Sequence, residues 1–410
     1  MESKDIFGLA LNLSEPWEIS EMKLTKLEGL KRGQLDIYID FVSGSEFRDS
    51  DGQLCGVYDS EERSWQHLNF FEHTCYLHAR VPRIKQADGK VKTVPVPWAR
   101  SGSGFTLLFE AFAMLLIEYE MPVNKVASTL RVVPNRLWRV FNHWVEDGVK
   151  KDDLSSVTQI GIDDTSSRKG HKYVTVNVDL ATRRVIHVCE DRGIEAVAEL
   201  ADVLTSKAGD PEKVDNVAID MSPSYISGVQ RYLPKAQIVF DKFHVVAKLG
   251  EAMDELRKQE SRGNEQLKGH KYTILKNYKN LSSEKREELD FLLMMYPRLG
   301  EAYRLKVMFK EFWDFTNTQE AMAYLSFWCD IVDETDIFPF KRFVKTVKTH
   351  WSGIMNYVKA RINSGVMEGI NNKIQLAKRR ARGFRNKTNF INMIYFIAGK
   401  MKFDYPYYPL

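Results

Sequence analysis

Three acids carry the clearest chemistry in this sequence: Asp163, ending the run Gln159-Ile160-Gly161-Ile162-Asp163; Asp220, following Asn216-Val217-Ala218-Ile219; and Glu368, in a basic helical stretch. Carboxylates are the ligands hard cations such as Mg²⁺ or Mn²⁺ demand. Two such ions about 3.5 to 4 Å apart activate one oxygen and stabilise a departing one in phosphoryl transfer. A strand fixes the direction of its side chains, so an Asp in one strand and another ending its neighbour hold a set separation. Asp163 has the opposite parity to Ile160 and Ile162, whereas Asp164 points to their side, and this selects Asp163. Asp220 stands where a strand gives way to a helix, the place where open α/β sheets collect ligand-binding residues. Asp241 ends the next strand and is the second choice, because it lies one strand further out if the Asp163 strand is central. A single Asp at a strand end is more often a turn former or a helix cap, so the weight rests on several acids converging.

Glu368 depends on its helix. Val366, Ile370 and Ile374 repeat every four residues, and Glu368, Asn372, Gln375, Arg379 and Arg382 line the other face. An acid among amides and arginines suits a metal held beside phosphates, and an ordinary amphipathic surface helix fits the same spacing equally well. From Lys373 to Lys387 there are seven Lys or Arg and no acid. Lys378, Arg379, Arg380, Arg382 and Arg385 are therefore candidate phosphate contacts, against the alternative of a solvated helix face. Arg168, Lys169, Gly170 and His171 follow the Asp163 strand and could meet a phosphate there. His171 and His244 are weaker signals, since a lone histidine near a strand end is more often a hydrogen-bonded structural residue; with Asn372, His244 is assigned a supporting place around the acids.

These side chains need a scaffold, and the pattern from Thr158 to His244 supplies one. Strands at 159–163, 173–180 and 184–189 form an antiparallel meander; a helix carrying Ile194, Val197, Leu200 and Leu204 leads to the strand 216–219. Ser222 and Pro223 start a second helix, and 237–240 is a fifth strand, giving the order βββαβαβ. Residues 246–359 read as an all-α insertion, and 360–410 as C-terminal helices that complete the core after the insertion. Before the core, 1–97 is β-rich, with strands such as Leu35–Ile39 and Cys75–Ala79. Residues 98–150 are helical: Pro122 and Pro134 start two helices whose core would be Val126, Leu130, Leu137, Val140, Phe141 and Trp144, a helix-turn-helix with Arg136 and Arg139 facing outward. A plain three-helix bundle fits the same pattern.

The bulk properties narrow the class. Of 410 residues 44% are hydrophobic, enough for two or three packed domains, and a net charge of +4 does not by itself announce a nucleic-acid partner. The N-terminus carries no secretory pattern, and the most apolar run, Phe105 to Ile117, is interrupted by Glu110 and too short to span a bilayer. A cytoplasmic, nucleoid-associated protein with no membrane role is expected. Four cysteines without a Cys-x-x-Cys pair predict neither a disulfide framework nor a complete zinc site.

Taken in order, several motifs resemble the ISL-three family of bacterial insertion-sequence transposases. They are Gly161-Ile162-Asp163-Asp164, the segment 168–173, Val178-Asp179-Leu180, Asp191-Arg192, Ile219-Asp220-Met221-Ser222-Pro223-Ser224-Tyr225, Phe240-Asp241-Lys242-Phe243-His244-Val245, Glu368-Gly369-Ile370-Asn371-Asn372 and the segment 378–386. The likeness runs from Val96 to about Phe396. It implies a ribonuclease-H-like core whose Asp-Asp-Glu triad falls on Asp163, Asp220 and Glu368. It further implies Mg²⁺-dependent cutting at terminal inverted repeats, joining to target DNA, and end recognition by the region before Val149. A homodimer is expected, because two ends must be held. One departure stands out: the family's N-terminal paired cysteines are missing, with Cys55 alone and none at 83–92, so 1–97 would be a degenerate zinc-ribbon-like domain and zinc is put in question. Two other readings fit some of these features: a catalytically inactive, transposase-derived DNA-binding protein, and a metal-dependent DNA nuclease without strand joining.

Overall fold

The computed structural model describes residues 3–26, 32–49, 51–168, 172–362 and 365–405. It divides into two compact units: 1–151 with 377–382 and 401–410, and 152–376 with 383–400.

In the first unit, helix α1 (Ser3–Ala10) precedes strands β1 (Trp17–Lys26), β2 (Gly33–Phe41), β3 (Glu46–Arg48), β4 (Leu54–Phe70), β5 (His73–Lys85) and β6 (Val91–Thr93). They form one sheet in the order β1-β2-β5-β4-β3, with β6 on β5. Burial alternates along β5, where Cys75, Leu77, Ala79 and Val81 join Leu35, Ile37, Ile39, Trp65 and Trp98 in the core. On the other face His78 bonds Asp36 at 2.8 Å.

Helices α2 (Leu107–Glu118), α3 (Val123–Thr129) and α4 (Pro134–Lys150) follow. The six core residues expected of the helix pair, from Val126 to Trp144, are all buried. The fully buried Glu110 on α2 is the hub of this bundle: it accepts from Arg100 Nε (2.8 Å), Ser103 Oγ (2.5 Å) and Trp144 Nε1 (2.8 Å). A buried carboxylate persists only with such partners. The described tail, 401–405, was expected with the catalytic core and instead packs on α4: Tyr405 meets the Trp144 ring edge-on at 5.4 Å, and a side chain at Gly148 would strike Phe403.

The second unit begins with β7 (Gln159–Arg168), β8 (Lys172–Asp179) and β9 (Arg184–Cys189), then α5 (Ile194–Ser206), β10 (Asn216–Ile219), α6 (Pro223–Tyr232) and β11 (Gln237–Phe240). The sheet order is β11-β10-β7-β8-β9; β10 is parallel to β7 and β11, and β8 is antiparallel to β7 and β9. β7 is thus central. It also runs longer than its apolar run, to Arg168, because 164–168 ladders onto β8; Arg168 therefore ends a strand, and Lys169, Gly170 and His171 lie outside the described residues. Val174, Val176 and Val178 on one face and Thr175 and Asn177 on the other are all fully buried, as a strand covered on both faces requires.

Ile160, Ile162, Val217 and Ile219 pack with Ala196, Val197 and Leu200 of α5 and Tyr225 and Val229 of α6. Gly193 caps α5 at φ 67°, and any Cβ there would lie 2.0 Å from Ser224 Oγ, the atom that accepts from Ile194 N. Ser222 holds the N-cap position of α6, but its hydroxyl makes no cap bond; Asp220 Oδ1 accepts from Ser222 N instead (2.9 Å).

The insertion comprises α7 (Lys242–Glu260), α8 (Lys271–Leu275), α9 (Ser283–Met295), α10 (Pro297–Glu311), α11 (Thr318–Glu334), α12 (Phe338–Thr349) and α13 (Trp351–Ala360). Its Phe309, Trp328, Phe340 and Phe343 belong to the same apolar cluster as the sheet, so it does not have a core of its own. Gly353 brings α13 onto the Phe240 ring, within 2.4 Å of where a Cβ would stand, and Asn356 Nδ2 donates to Ile238 O. α14 (Gly365–Arg380) and α15 (Lys387–Ala398) complete the chain's helices among the described residues. No helix among those residues is long and apolar enough to cross a membrane.

Candidate active site

Asp163 and Asp220 line one cleft, together with Ile162, Asp241, His244 and Met367. Its acids come from consecutive strands of a parallel run: Asp163 within β7, Asp220 directly after β10, and Asp241 directly after β11. Backbone geometry therefore sets their spacing, with neighbouring strands about 4.8 Å apart. Register places Asp163 beside Val176 and Val188 on one face, and Asp164 beside Thr175 and Cys189 on the other.

Asp163 is half-buried. Its Oδ1 accepts from Asp164 N (2.8 Å), its Oδ2 accepts from Asn371 Nδ2 (2.8 Å), and His244 Nε2 stands 4.0 Å from Oδ1. Burial pushes its carboxyl upward, against His244, the Asp164 amide and Asn371, each of which favours the charged form. Asp241 is engaged as the N-cap of α7, accepting from Phe243 N (2.8 Å). Asp164 is committed to the opposite face, where Tyr225 OH donates to Oδ1 (2.7 Å) and Arg192 Nε to Oδ2 (2.7 Å). Through Tyr225 this network ties β7 to the helix that follows Asp220.

α14 lies along β7. Met367, Ile370 and Ile374 are its buried residues, and a Cβ on Gly161 would stand 2.6 Å from Met367 Sδ, so glycine permits the close approach. The inward face is thus rotated from the expected one. Val366 is half-buried, Asn371 reaches Asp163, and Gln375 Nε2 donates to Thr165 Oγ1 (3.1 Å). Glu368 is exposed in the first turn, next to the cleft-lining Met367, and Asn372 is exposed. Among the described residues, the carboxylate oxygens of Asp163, Asp220 and Glu368 do not all lie within 4.8 Å of one another.

Family models match this architecture at two places: a "Transposase" model of the ISL3 DDE domain over residues 160–394, and the "Helix-turn-helix domain of transposase family ISL3" over 94–145. The chain belongs to transposase family ISL3. It is 30% identical to the "Transposase for insertion sequence element IS1001" of Bordetella parapertussis, over 87% of this chain and 89% of that protein. It is 25% identical to the "Transposase for insertion sequence element IS1557" of Mycobacterium tuberculosis, over 79% of each chain. The protein is thus an insertion-sequence transposase with a helix-turn-helix and a DDE domain, a family of DNA-processing enzymes that use divalent metal.

Several basic residues of the transposase sit differently from the sequence expectation. Arg136 does not face freely outward: its guanidinium stacks on Phe105, 4.3 Å from the ring centroid, and is half-buried. Arg380 pairs with Glu120, and Arg168 Nε donates to Phe384 O (3.3 Å). Arg139, Arg379, Arg382 and Arg385 are exposed, while Lys378 is half-buried. Asn371 is the site residue that the helical pattern missed. Taking Met367, Ile370 and Ile374 as the stripe would have found it, because Asn371 then falls one turn after Met367 on the same side.

Proposed function

We propose that this transposase binds the terminal inverted repeats of its element and catalyses Mg²⁺-dependent strand cleavage and strand transfer, with Asp163, Asp220 and Glu368 as the acidic triad of a ribonuclease-H-like core. One observation carries the reading: Asp163 and Asp220, from adjacent parallel strands, line one cleft against which the Glu368-bearing helix is docked through Asn371 and Met367. The donor chemistry fits a hard cation, since every acid in or beside the cleft is an oxygen ligand. Asp163 and Asp220 would hold the metal from the sheet and Glu368 from α14. Bound there, Mg²⁺ or Mn²⁺ would make an attacking oxygen nucleophilic and stabilise the departing one.

The chain's own residues have the remaining tasks. Asn371 orients Asp163 and favours its charged, ligating form, while Asp164, Tyr225 and Arg192 hold the strand and the α6 start in register. Exposed Arg139, Arg379, Arg382 and Arg385 are proposed to grip phosphates, which sets register on DNA without reading sequence. Arg136 and Arg380, already paired within the fold, are weaker candidates. A homodimer holding two ends is part of the same proposal.

The test is incubation of the purified protein with Mg²⁺ and DNA bearing the element's ends. Wild type is expected to cleave and to yield joined products, while Asp163→Ala and Asp220→Asn do neither. Cleavage without joined products would make the protein a nuclease, and equal processing by Asp163→Ala would end the catalytic assignment. Asp241→Asn keeps a helix-capping side chain and is expected to retain activity; its loss alongside retention in Asp220→Asn would exchange the two roles.

A further inference from the structure

A second group of ligand-type side chains gathers at the other edge of the catalytic sheet. His187 and Cys189 lie on β9, the edge strand two places from β7, and Glu199 lies on α5. Their ligand atoms are all within 4.8 Å of one another, and His187 Nε2 is 3.1 Å from Glu199 Oε1. Register puts His187 beside Asn177 and Ile162, and Cys189 beside Thr175 and Asp164, on the face away from Asp163. This group is therefore separate from the acidic cleft.

Its burial is unusual for a plain ion pair. His187 is 6% exposed, and its Nε2 is a buried atom without a hydrogen-bond partner, although the Glu199 oxygen is within reach, because the direction is wrong for such a bond. A buried imidazole nitrogen left in that state is costly. A neutral imidazole offers a lone pair at such a nitrogen, the form that ligates a metal. The other ring nitrogen, Nδ1, is 3.3 Å from Tyr395 OH, which also accepts from Val188 N; metal-bound histidines are commonly oriented by such an outer bond. Cys189 is 3% exposed, whereas the Glu199 side chain is 44% exposed and leaves an approach from solvent.

We propose that His187, Cys189 and Glu199 form a second metal site, of the zinc class, that clamps edge strand β9 to α5. One sulfur, one imidazole nitrogen and one carboxylate make a borderline-soft set that suits Zn²⁺ or Co²⁺ and not Mg²⁺. A tetrahedral zinc with ligands at about 2.0 to 2.3 Å holds its ligand atoms roughly 3.4 to 3.7 Å apart, which needs only small side-chain rotations from the arrangement present. The fourth position faces the Glu199 side and would take water.

The proposal is tested on the full-length protein, stripped with a chelator and titrated with Co²⁺ in excess Mg²⁺. One Co²⁺ per chain is expected, with a thiolate-to-cobalt absorption band that Zn²⁺ displaces and Mg²⁺ does not. Cys189→Ser should remove the band, and Cys55→Ser and Cys329→Ser should keep it. Glu199→Gln changes an exposed side chain and is expected to fold normally, with the urea midpoint of the metal-free protein unchanged and zinc affinity lowered about 10- to 100-fold. A wild-type protein without the band, a band that survives Cys189→Ser, or unchanged affinity in Glu199→Gln would each overturn the site. None of these readouts depends on DNA cleavage.

Discussion

Replacing Gly161 by alanine tests whether the close seat of α14 on β7 is what assembles the acidic site. The new Cβ would stand 2.6 Å from Met367 Sδ, 3.1 Å from Met367 Cγ and 3.0 Å from Leu180 Cδ2. Ordinary contacts settle at about 3.5 to 4.0 Å, so Met367 must give way by about 1 Å. Methionine is flexible, but this one is buried at 5% exposure and held between the helix and the cleft. Overpacking of this kind costs about 1 to 3 kcal/mol. If the strain lifts the helix instead, Glu368 and Asn371 move with it, and a shift of about 1 Å at a reacting site costs up to roughly 100-fold in rate. Gly161→Ala is therefore expected to lower urea stability by about 1 to 3 kcal/mol and Mg²⁺-dependent cleavage about 10- to 100-fold, with binding to end DNA retained. Gly161→Ala with Met367→Ala removes the two Met367 atoms and leaves only the 3.0 Å approach to Leu180 Cδ2. The pair should couple by about 0.5 to 3 kcal/mol in a double-mutant cycle, and cleavage should recover relative to Gly161→Ala. Wild-type cleavage by Gly161→Ala, or strictly additive losses in the cycle, would refute the reasoning.

Three further outcomes are expected. Asn371→Ala deletes the 2.8 Å bond to Asp163, so cleavage should fall about 10- to 100-fold with a raised Mg²⁺ requirement; an unchanged metal titration would count against it. Glu110→Ala strips Arg100, Ser103 and Trp144 of their shared acceptor, and urea unfolding followed through Trp144 should show a loss of about 3 to 5 kcal/mol, while a loss under 1 kcal/mol would deny Glu110 its place as hub. His67 is pushed down to about 4 by burial, with Nδ1 2.8 Å from the Thr106 hydroxyl. Because its folded value lies below the unfolded 6.5, the unfolded chain binds more protons between those limits, so stability is full above about 6.5 and falls as pH drops toward 4, by up to about 3 kcal/mol. Urea midpoints across that window should flatten in His67→Gln, and an unchanged slope would exclude His67 as a source of acid sensitivity.

Period-2 and period-3.6 patterns suffice to locate β7 through β11 and α5, α6, α14 and α15, because the spacing of apolar residues marks the type of each element. The parity of Asp163 against Ile160 and Ile162 likewise places it on the cleft side of the sheet from sequence alone. Other features depend on which element lies opposite, which local spacing does not encode. The face of α14 turned from the expected stripe because Gly161 leaves room for Met367, and that rotation brought Asn371 onto Asp163. Arg136 and Arg380 read as free cations in the chain, but the fold supplies Phe105 and Glu120 as their partners. The convergence of His187 and Cys189 with Glu199 came only from docking α5 on β9, since strand spacing unites the first two and nothing along the chain points to the third. Sequence thus determined the elements, the strand acids and, through motif resemblance, the family; tertiary packing decided which side chains meet, because contact between distant segments depends on shape at the interface.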